Sequence, residues 1–179
     1  DGFEQLVNTS SLGITSLPKT RNLLEKKIDS SINAFSKHVS TPTNEQYIFV
    51  LEENGKIGGT CMILAESSSD HPSYFYQLKT HKSIPVLKAK AYSKAPSELA
   101  GLYLDKNFQK TGLGKLLSLS RLLFIAAFKE RFQATFFANI RGVITENDFV
   151  PFWEGIGRHF LDVDYSAFLK LRESDPSFL

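Results

Sequence analysis

The sequence contains a single cysteine, Cys61, among its 179 residues. One thiol has no partner for an internal disulfide, so nothing indicates a disulfide-stapled secreted domain, and a reducing cytoplasm is the expected location. Cys61 lies between Thr60 and Met62 in a predicted strand, with no histidine close to it in sequence. This setting favours a buried thiol over a catalytic nucleophile.

Long apolar runs are also missing, since none approaches the roughly 20 residues of a membrane-spanning helix. The four histidines are scattered along the chain and, with one cysteine, give no metal-binding spacing, so we predict no metal. The 21 basic and 19 acidic residues form no basic stripe that would bind nucleic acid. The aromatic residues Phe152 and Trp153 are therefore expected in the core, and a small-molecule partner is favoured.

The composition that remains is that of a compact domain, with 42% hydrophobic and 22% charged residues. This length and balance predict one domain over residues 1–179 with a substantial core. The chain begins at Asp1 rather than at methionine, so we expect a cropped start, with a removed leader as the alternative.

Local patterns in the first third predict helices over residues 3–12 and 20–37. Two strand-like runs follow, at 47–51 and 57–64. The Asn54-Gly55 pair between them favours the positive φ angles of a tight hairpin turn.

The middle of the chain contains an inserted excursion from residue 66 to residue 97, with short edge strands expected at 74–76 and 84–87. Residues 99–104 then predict a buried strand, and residues 113–128 predict a long apolar helix.

Four further elements complete the prediction, namely a strand at 135–140, a short helix at 149–156, a strand at 159–163 and a helix or tail around 168–169. Strands that alternate with helices indicate an α/β sheet.

The segment between the predicted strand and the long helix, Gln109 to Lys115, places Gly112 and Gly114 at a helix start. Amide groups there are unpaired, the helix dipole favours an anion, and glycines admit a phosphate close to the backbone. Lys110 and Lys115 add positive charge. The loop therefore predicts a cradle for a pyrophosphate.

Two known phosphate-binding motifs can be excluded for this loop. The Walker A pattern fails because Gln109 stands five residues before Gly114 and Leu116 follows Lys115. The dinucleotide fingerprint fails because Leu117 occupies the position of its third glycine. The pattern that fits is Q-x-x-G-x-G, which by itself more often marks a plain turn into a helix.

The flanks of this loop favour a specific family. The loop resembles the acetyl-CoA-binding motif of GNAT acyltransferases. Together with segments 102–105, 112–118 and 121–126, it closely resembles the bacterial arginine N-succinyltransferase family.

Further segments extend the likeness to nearly the whole chain. Residues 138–142 resemble that family's A-E-M-R-G segment, and residues 151–160 resemble its P-F-W-E-x-L-G-R-H-F-F signature. Upstream, residues 13–18 and 47–52 are similar to the family as well.

The resemblance implies a GNAT-like α/β fold, with a mixed, largely antiparallel central sheet flanked by helices. It implies succinyl transfer from succinyl-CoA to the α-amino group of arginine, or of ornithine, in arginine catabolism. Two alternatives stay open: a GNAT acetyltransferase that uses acetyl-CoA and another small amine, and a non-catalytic CoA-binding fragment or subunit.

The sequence departs from the family in two ways. Family members are roughly twice as long, and the histidine expected to donate a proton lies in the absent half, so no histidine here receives that role. A homo-oligomer or a second subunit is expected to supply that half. Gln109 also stands where the family usually carries arginine.

The matched positions give the expected site. The candidate acyl-CoA-binding residues are Leu102, Leu104, Gln109, Lys110, Thr111, Gly112, Leu113, Gly114 and Lys115. Leu104 is expected to act through its backbone, which is compatible with a core leucine.

Glu98 and Arg141 are the candidate catalytic residues. Glu98 could accept the proton through water or bind a cationic substrate, and a solvated strand-end carboxylate is the plainer alternative. Arg141 ranks ahead of Asn139 and Glu154 near the expected acceptor end, although an arginine there also suits a structural ion pair. His159 is more typical of a structural than of a catalytic residue.

Overall fold

A computed structural model of the chain describes residues 1–10, 14, 16–67, 73–92, 95–109, 112–140, 142–145, 147 and 149–174. The helices in these ranges are α1 Gly2–Thr9, α2 Arg21–Ser36, α3 Leu113–Ala127, α4 Pro151–Gly155 and α5 Tyr165–Ser174. The strands are β1 Gln46–Glu53, β2 Lys56–Leu64, β3 Ser73–His81, β4 Ile84–Tyr92, β5 Ser97–Leu104 and β6 Phe136–Phe137. Short 3-10 turns cover Lys106–Phe108, Lys129–Arg131 and Gly157–His159.

The contacts divide the chain into two compact units, residues 1–139 and residues 140–179. Each unit has its own cluster of buried side chains. The expectation of a single domain stays a prediction.

The first unit contains a four-stranded sheet in the order β1-β2-β5-β6. β1 and β5 both run antiparallel to β2, whereas β6 runs parallel to β5. The predicted mixed, largely antiparallel sheet is confirmed.

The β1–β2 hairpin turns at Asn54 and Gly55, whose φ angles are 52° and 75°. Both values lie in the left-handed region that a two-residue hairpin turn requires. The hairpin therefore forms where the Asn-Gly pair predicted it.

Helices cover both faces of the sheet. Cys61 and Met62 are adjacent in β2, so their side chains point to opposite faces. Met62 packs with Leu6 of α1 and Leu24 of α2, whereas Cys61 packs with Leu117 of α3. α3 therefore lies on the face opposite to α1 and the first half of α2.

β3 and β4 form a separate two-stranded sheet of nine residues per strand, longer than the short edge strands predicted there. Lys82 and Ser83 turn the chain with φ angles of 48° and 66°. One face of this ribbon carries Tyr76 and Leu78, which are 66% and 69% exposed.

The second unit is built around Trp153 of α4, which stacks on Phe168 of α5. Trp153 is buried as expected, but Phe152 is 65% exposed and does not fill the core. The strand predicted at 159–163 is wrong. The Trp153 indole N–H donates to the carbonyl oxygen of Val163 at 3.0 Å, which holds this segment as an irregular loop around the ring.

Candidate functional site

β5, the turn at Lys106–Phe108 and the start of α3 follow one another without interruption. Asp105 fixes the turn, because its carboxylate accepts from the Asn107 amide at 2.9 Å. The Gln109 side-chain amide donates to the Leu104 carbonyl oxygen at 3.3 Å, so two of the predicted site residues contact each other. Lys110 and Thr111 lie outside the described residues.

Gly112 is the N-cap of α3, with a φ of 79° that disfavours any other residue. Within the described residues no side chain caps this helix, and its first turn, which includes Leu113, Gly114 and Lys115, has no acidic residue. Apart from its chain neighbours, a Cβ at Gly112 would meet nothing within 4 Å, so the N-cap position itself is not crowded. Unpaired N–H groups, the helix dipole and the exposed Lys115 together favour an anion.

A β-bulge interrupts β5 above this loop. Thr60 pairs with Tyr103 and Met62 with Ala100, so Gly101 and Leu102 both stand opposite Cys61. Gly101 has a φ of 59°, and a Cβ there would lie 2.8 Å from Met62 Cγ. A bulge of this kind turns backbone groups out of the regular ladder.

Leu102 is 50% exposed, so the strand predicted as buried is not buried along its whole length. Its exposure coincides with the bulge.

Among the described residues, only the start of β5 is paired along the edge that faces β6, and at its far end the Leu104 carbonyl accepts from Gln109. β6 pairs only with Ser97 and Glu98, through Phe136 and Phe137. The strand predicted over 135–140 is thus shorter, since residues 138–140 leave the ladder. An unpaired strand edge offers N–H and C=O groups to an extended ligand that carries amides.

Glu98 lies where β5 and β6 diverge, and its Oε1 accepts from the Asn139 side-chain amide at 2.9 Å. Burial raises the pKa of the Glu98 carboxyl, while the Asn139 bond and the charge of Lys27 oppose that rise. Glu98 is thus a partly buried, hydrogen-bonded carboxyl, and its role stays a prediction.

Lys27 of α2, which the sequence did not reveal, interacts electrostatically with Glu98. Burial lowers the pKa of the Lys27 ammonium, and the Glu98 charge offsets part of that effect. Lys27 lies between the core residues Leu24 and Ile28 of the same helix. A lysine beside the apolar positions of an amphipathic helix is the signal that could have identified it.

Cys61 is fully buried, and its thiol donates to the Leu117 carbonyl oxygen at 3.2 Å. Burial raises the pKa of the Cys61 thiol to about 11. The prediction of a buried thiol is confirmed.

The remaining candidates fall elsewhere. Arg141 lies outside the described residues. In the second unit, Glu154 pairs with Arg158, with one contact of 2.9 Å, and His159 lies in a 3-10 turn. The part of the chain that the structure describes contains no group of three or more side chains that could hold a metal ion, and none of its helices is long and apolar enough to cross a membrane.

Comparison with known proteins identifies the family. The family model described as AstA, arginine N-succinyltransferase beta subunit, matches residues 1–179. The chain belongs to this family. Curated relatives named arginine N-succinyltransferase, from Salmonella schwarzengrund and Salmonella agona, are each 35% identical over 175 residues. These matches cover 90% of the chain and 50% of either relative, so the chain spans about half of their length.

A solved structure agrees with this assignment. The arginine/ornithine succinyltransferase subunit AI from Pseudomonas aeruginosa is 31% identical to the chain, with a TM-score of 0.80. The match covers 95% of this chain and 55% of that subunit. The family resemblance and the mixed α/β fold that the sequence predicted are confirmed.

Proposed function

We propose that this arginine N-succinyltransferase family chain forms the acyl-CoA-binding half of an N-acyltransferase. The whole enzyme would move a succinyl group from succinyl-CoA to the α-amino group of arginine or ornithine, in cytoplasmic arginine catabolism. The observation that carries the proposal is the N-terminus of α3, which no described side chain caps and which follows the bulged, partly unpaired strand β5 after one short turn.

The cosubstrate would extend along β5. Its pyrophosphate would bind the amides of Gly112 to Lys115, with Gln109, Lys110 and Thr111 as the further candidate binding residues. Its pantetheine arm, which contains two amides, would pair with the partly unpaired edge of β5 near Leu104. The thioester would then lie at the bulge beside Leu102.

In the transfer step the neutral amine nitrogen attacks the thioester carbonyl carbon, a C–N bond forms and the C–S bond breaks. The nitrogen loses one proton as the amide forms and the leaving sulfur gains one, so CoA leaves as the thiol. An amino acid arrives protonated, so one proton must first be removed from its ammonium group. Glu98 would accept that proton through water, since a carboxyl with a raised pKa suits this task. Arg141 is proposed to act at the acceptor end.

A thiol-release assay tests this function. Succinyl-CoA and acetyl-CoA are each supplied with arginine, ornithine or lysine, and CoA release is measured against a control without amine. We expect release with succinyl-CoA and arginine or ornithine. Selective use of acetyl-CoA would favour the alternative, an acetyltransferase for another small amine.

The half-length match favours a second candidate, a CoA-binding subunit without activity of its own. In that case the chain binds succinyl-CoA but transfers its succinyl group to no amine. Activity appears when the other half of the enzyme is added as a separate polypeptide. A homo-oligomer would instead show activity alone, with an apparent mass at least twice that of one chain in solution. Failure to bind any CoA thioester would contradict both candidates.

A further inference from the structure

Arg121 is a buried cation in the middle of α3. Only 6% of its surface is exposed, yet none of the carboxylates that the structure describes lies within ion-pair distance of it. Charged side chains are rarely buried unless they are paired. The same unit follows that rule elsewhere, because the buried Glu45 contacts Lys37 at 2.7 Å.

The present contacts of Arg121 leave its guanidinium incompletely used. Nη1 lies 3.5 Å from the Ala100 carbonyl oxygen and Nε lies 3.4 Å from the Ser118 carbonyl oxygen, both long for hydrogen bonds. Only the contact of Nη2 with Ser118 Oγ, at 3.0 Å, is of ordinary length. A guanidinium has five N–H donors, so capacity remains for an anion.

The position of Arg121 corresponds to the reacting end of the cosubstrate. Arg121 follows Gly112 by nine residues, which is roughly 14 Å along the helix axis. An extended pantetheine arm is about as long as four extended residues, again roughly 14 Å. Ala100, which Arg121 contacts, directly precedes the bulge at Gly101.

We propose that Arg121 binds the terminal carboxylate of a dicarboxylic acyl group on CoA, and so selects succinyl-CoA over acetyl-CoA. This inference rests on the proposed acyl-CoA site. The buried guanidinium has no carboxylate partner within the described chain. The acyl donor would supply one, because a succinyl group ends in a carboxylate whereas an acetyl group does not. A planar guanidinium suits this role because it binds a carboxylate through two parallel hydrogen bonds.

Calorimetry with the full chain tests the inference. The ligands are succinyl-CoA, its methyl ester and acetyl-CoA, so that the two succinyl forms differ mainly in the terminal charge. We expect the wild type to bind succinyl-CoA at least about 30-fold more tightly than the methyl ester, as for a desolvated charge pair. In Arg121→Met this difference disappears, while the affinity for acetyl-CoA changes less than about threefold.

Two further variants serve as controls. Lys129→Met removes an exposed positive charge just beyond α3. This variant should keep the full difference in affinity between succinyl-CoA and its methyl ester. Arg121→Lys retains the charge and should keep part of it. Circular dichroism shows whether Arg121→Met folds. If it does not, the role of Arg121 is tested by two other measurements: the binding of succinyl-CoA and its methyl ester to the wild type, and the same comparison in Arg121→Lys.

The outcomes separate the two proposals. Equal binding of succinyl-CoA and its methyl ester by the wild type, or unchanged discrimination in a folded Arg121→Met, overturns the role of Arg121 but leaves the acyl-CoA site intact. Absence of binding for all three thioesters overturns the acyl-CoA site and, with it, this inference.

Discussion

At the scale of single residues, Glu98 is the group whose protonation state matters most for the proposed chemistry. We expect Glu98→Gln to lower kcat by about 100-fold or more, because the amide cannot accept a proton.

In the wild type, kcat/KM should fall on the acid side with an apparent pKa above the ordinary glutamate value, since burial raises the Glu98 pKa. Asn139→Ala should shift this limb further upward because it removes a bond that stabilises the charged form. A pH profile of CoA release measures both effects, and an acid limb unchanged in Glu98→Gln would contradict the role.

The same carboxyl makes folding stability depend on pH. A pKa raised in the folded state means that the stabilisation from Glu98 is full below about pH 4.5 and is lost as pH rises through the raised value. Glu98→Gln should therefore melt at a higher temperature than the wild type at pH 7, with the difference shrinking near pH 4. Thermal denaturation at both pH values checks this, with exposed Glu52→Gln as the matched control. A lower melting temperature for Glu98→Gln at pH 7 would show that Glu98 stabilises the fold when charged.

Single-residue function was only partly readable from the sequence. The glycine loop was found because its spacing is local and its torsional requirement is carried by Gly112 itself. In the sequence, Arg121 stands out only as part of the family-like segment 121–126, and nothing local marks Lys27. Their significance depends on burial and on neighbours distant in sequence, namely Ala100 and Glu98.

At the scale of elements, the start of α3 separates the roles of its two glycines. Gly112→Ala should lower the free energy of unfolding by about 1–2 kcal/mol, because alanine is strained at a φ of 79°. Gly114→Ala is the matched control. Its Cβ would make only a 3.4 Å contact with Leu104, so the variant should be neutral or more stable by up to about 1 kcal/mol. Urea denaturation of both proteins measures the difference, and equal effects would argue against the left-handed N-cap.

Urea denaturation should also show that alanine substitutions cost less stability in the β3–β4 ribbon than in the main sheet. Leu78, which is 69% exposed on the ribbon, should change the free energy of unfolding by less than about 0.5 kcal/mol when replaced by alanine. Replacement of Ile63, which is fully buried in β2, by alanine should lower the free energy of unfolding by about 2–5 kcal/mol. A cost above about 2 kcal/mol for Leu78→Ala would show that the ribbon face is covered in solution.

Elements with strong local signals were predicted well, and those fixed by distant contacts were not. The Asn54-Gly55 turn and the apolar period of α3 are local properties. The run at 159–163 has the apolar composition of a strand, but the hydrogen bond between Trp153 and Val163 gives it another conformation. Likewise the strand predicted at 135–140 pairs only at Phe136 and Phe137, because pairing depends on where β5 lies.

At the scale of the whole molecule, the two units have separate cores, and the only tryptophan, Trp153, lies in the smaller one. A unit of this size is marginal on its own, since small domains bury a low fraction of their surface. We expect tryptophan fluorescence to change at a lower urea concentration than far-UV circular dichroism, to which the first unit contributes most helices and strands. Coincident transitions would show that the chain unfolds as one cooperative structure.

The burial of Cys61 bears on how the transfer reaction is measured. Reagents that colour on contact with free CoA also colour on contact with accessible protein thiolates, which often raises the background of such assays. Here the chain's one sulfhydryl is enclosed beneath α3 and, with a pKa of about 11, is almost entirely protonated at neutral pH. The folded protein should therefore give almost no signal of its own, and slow colour development without substrate would report unfolding directly.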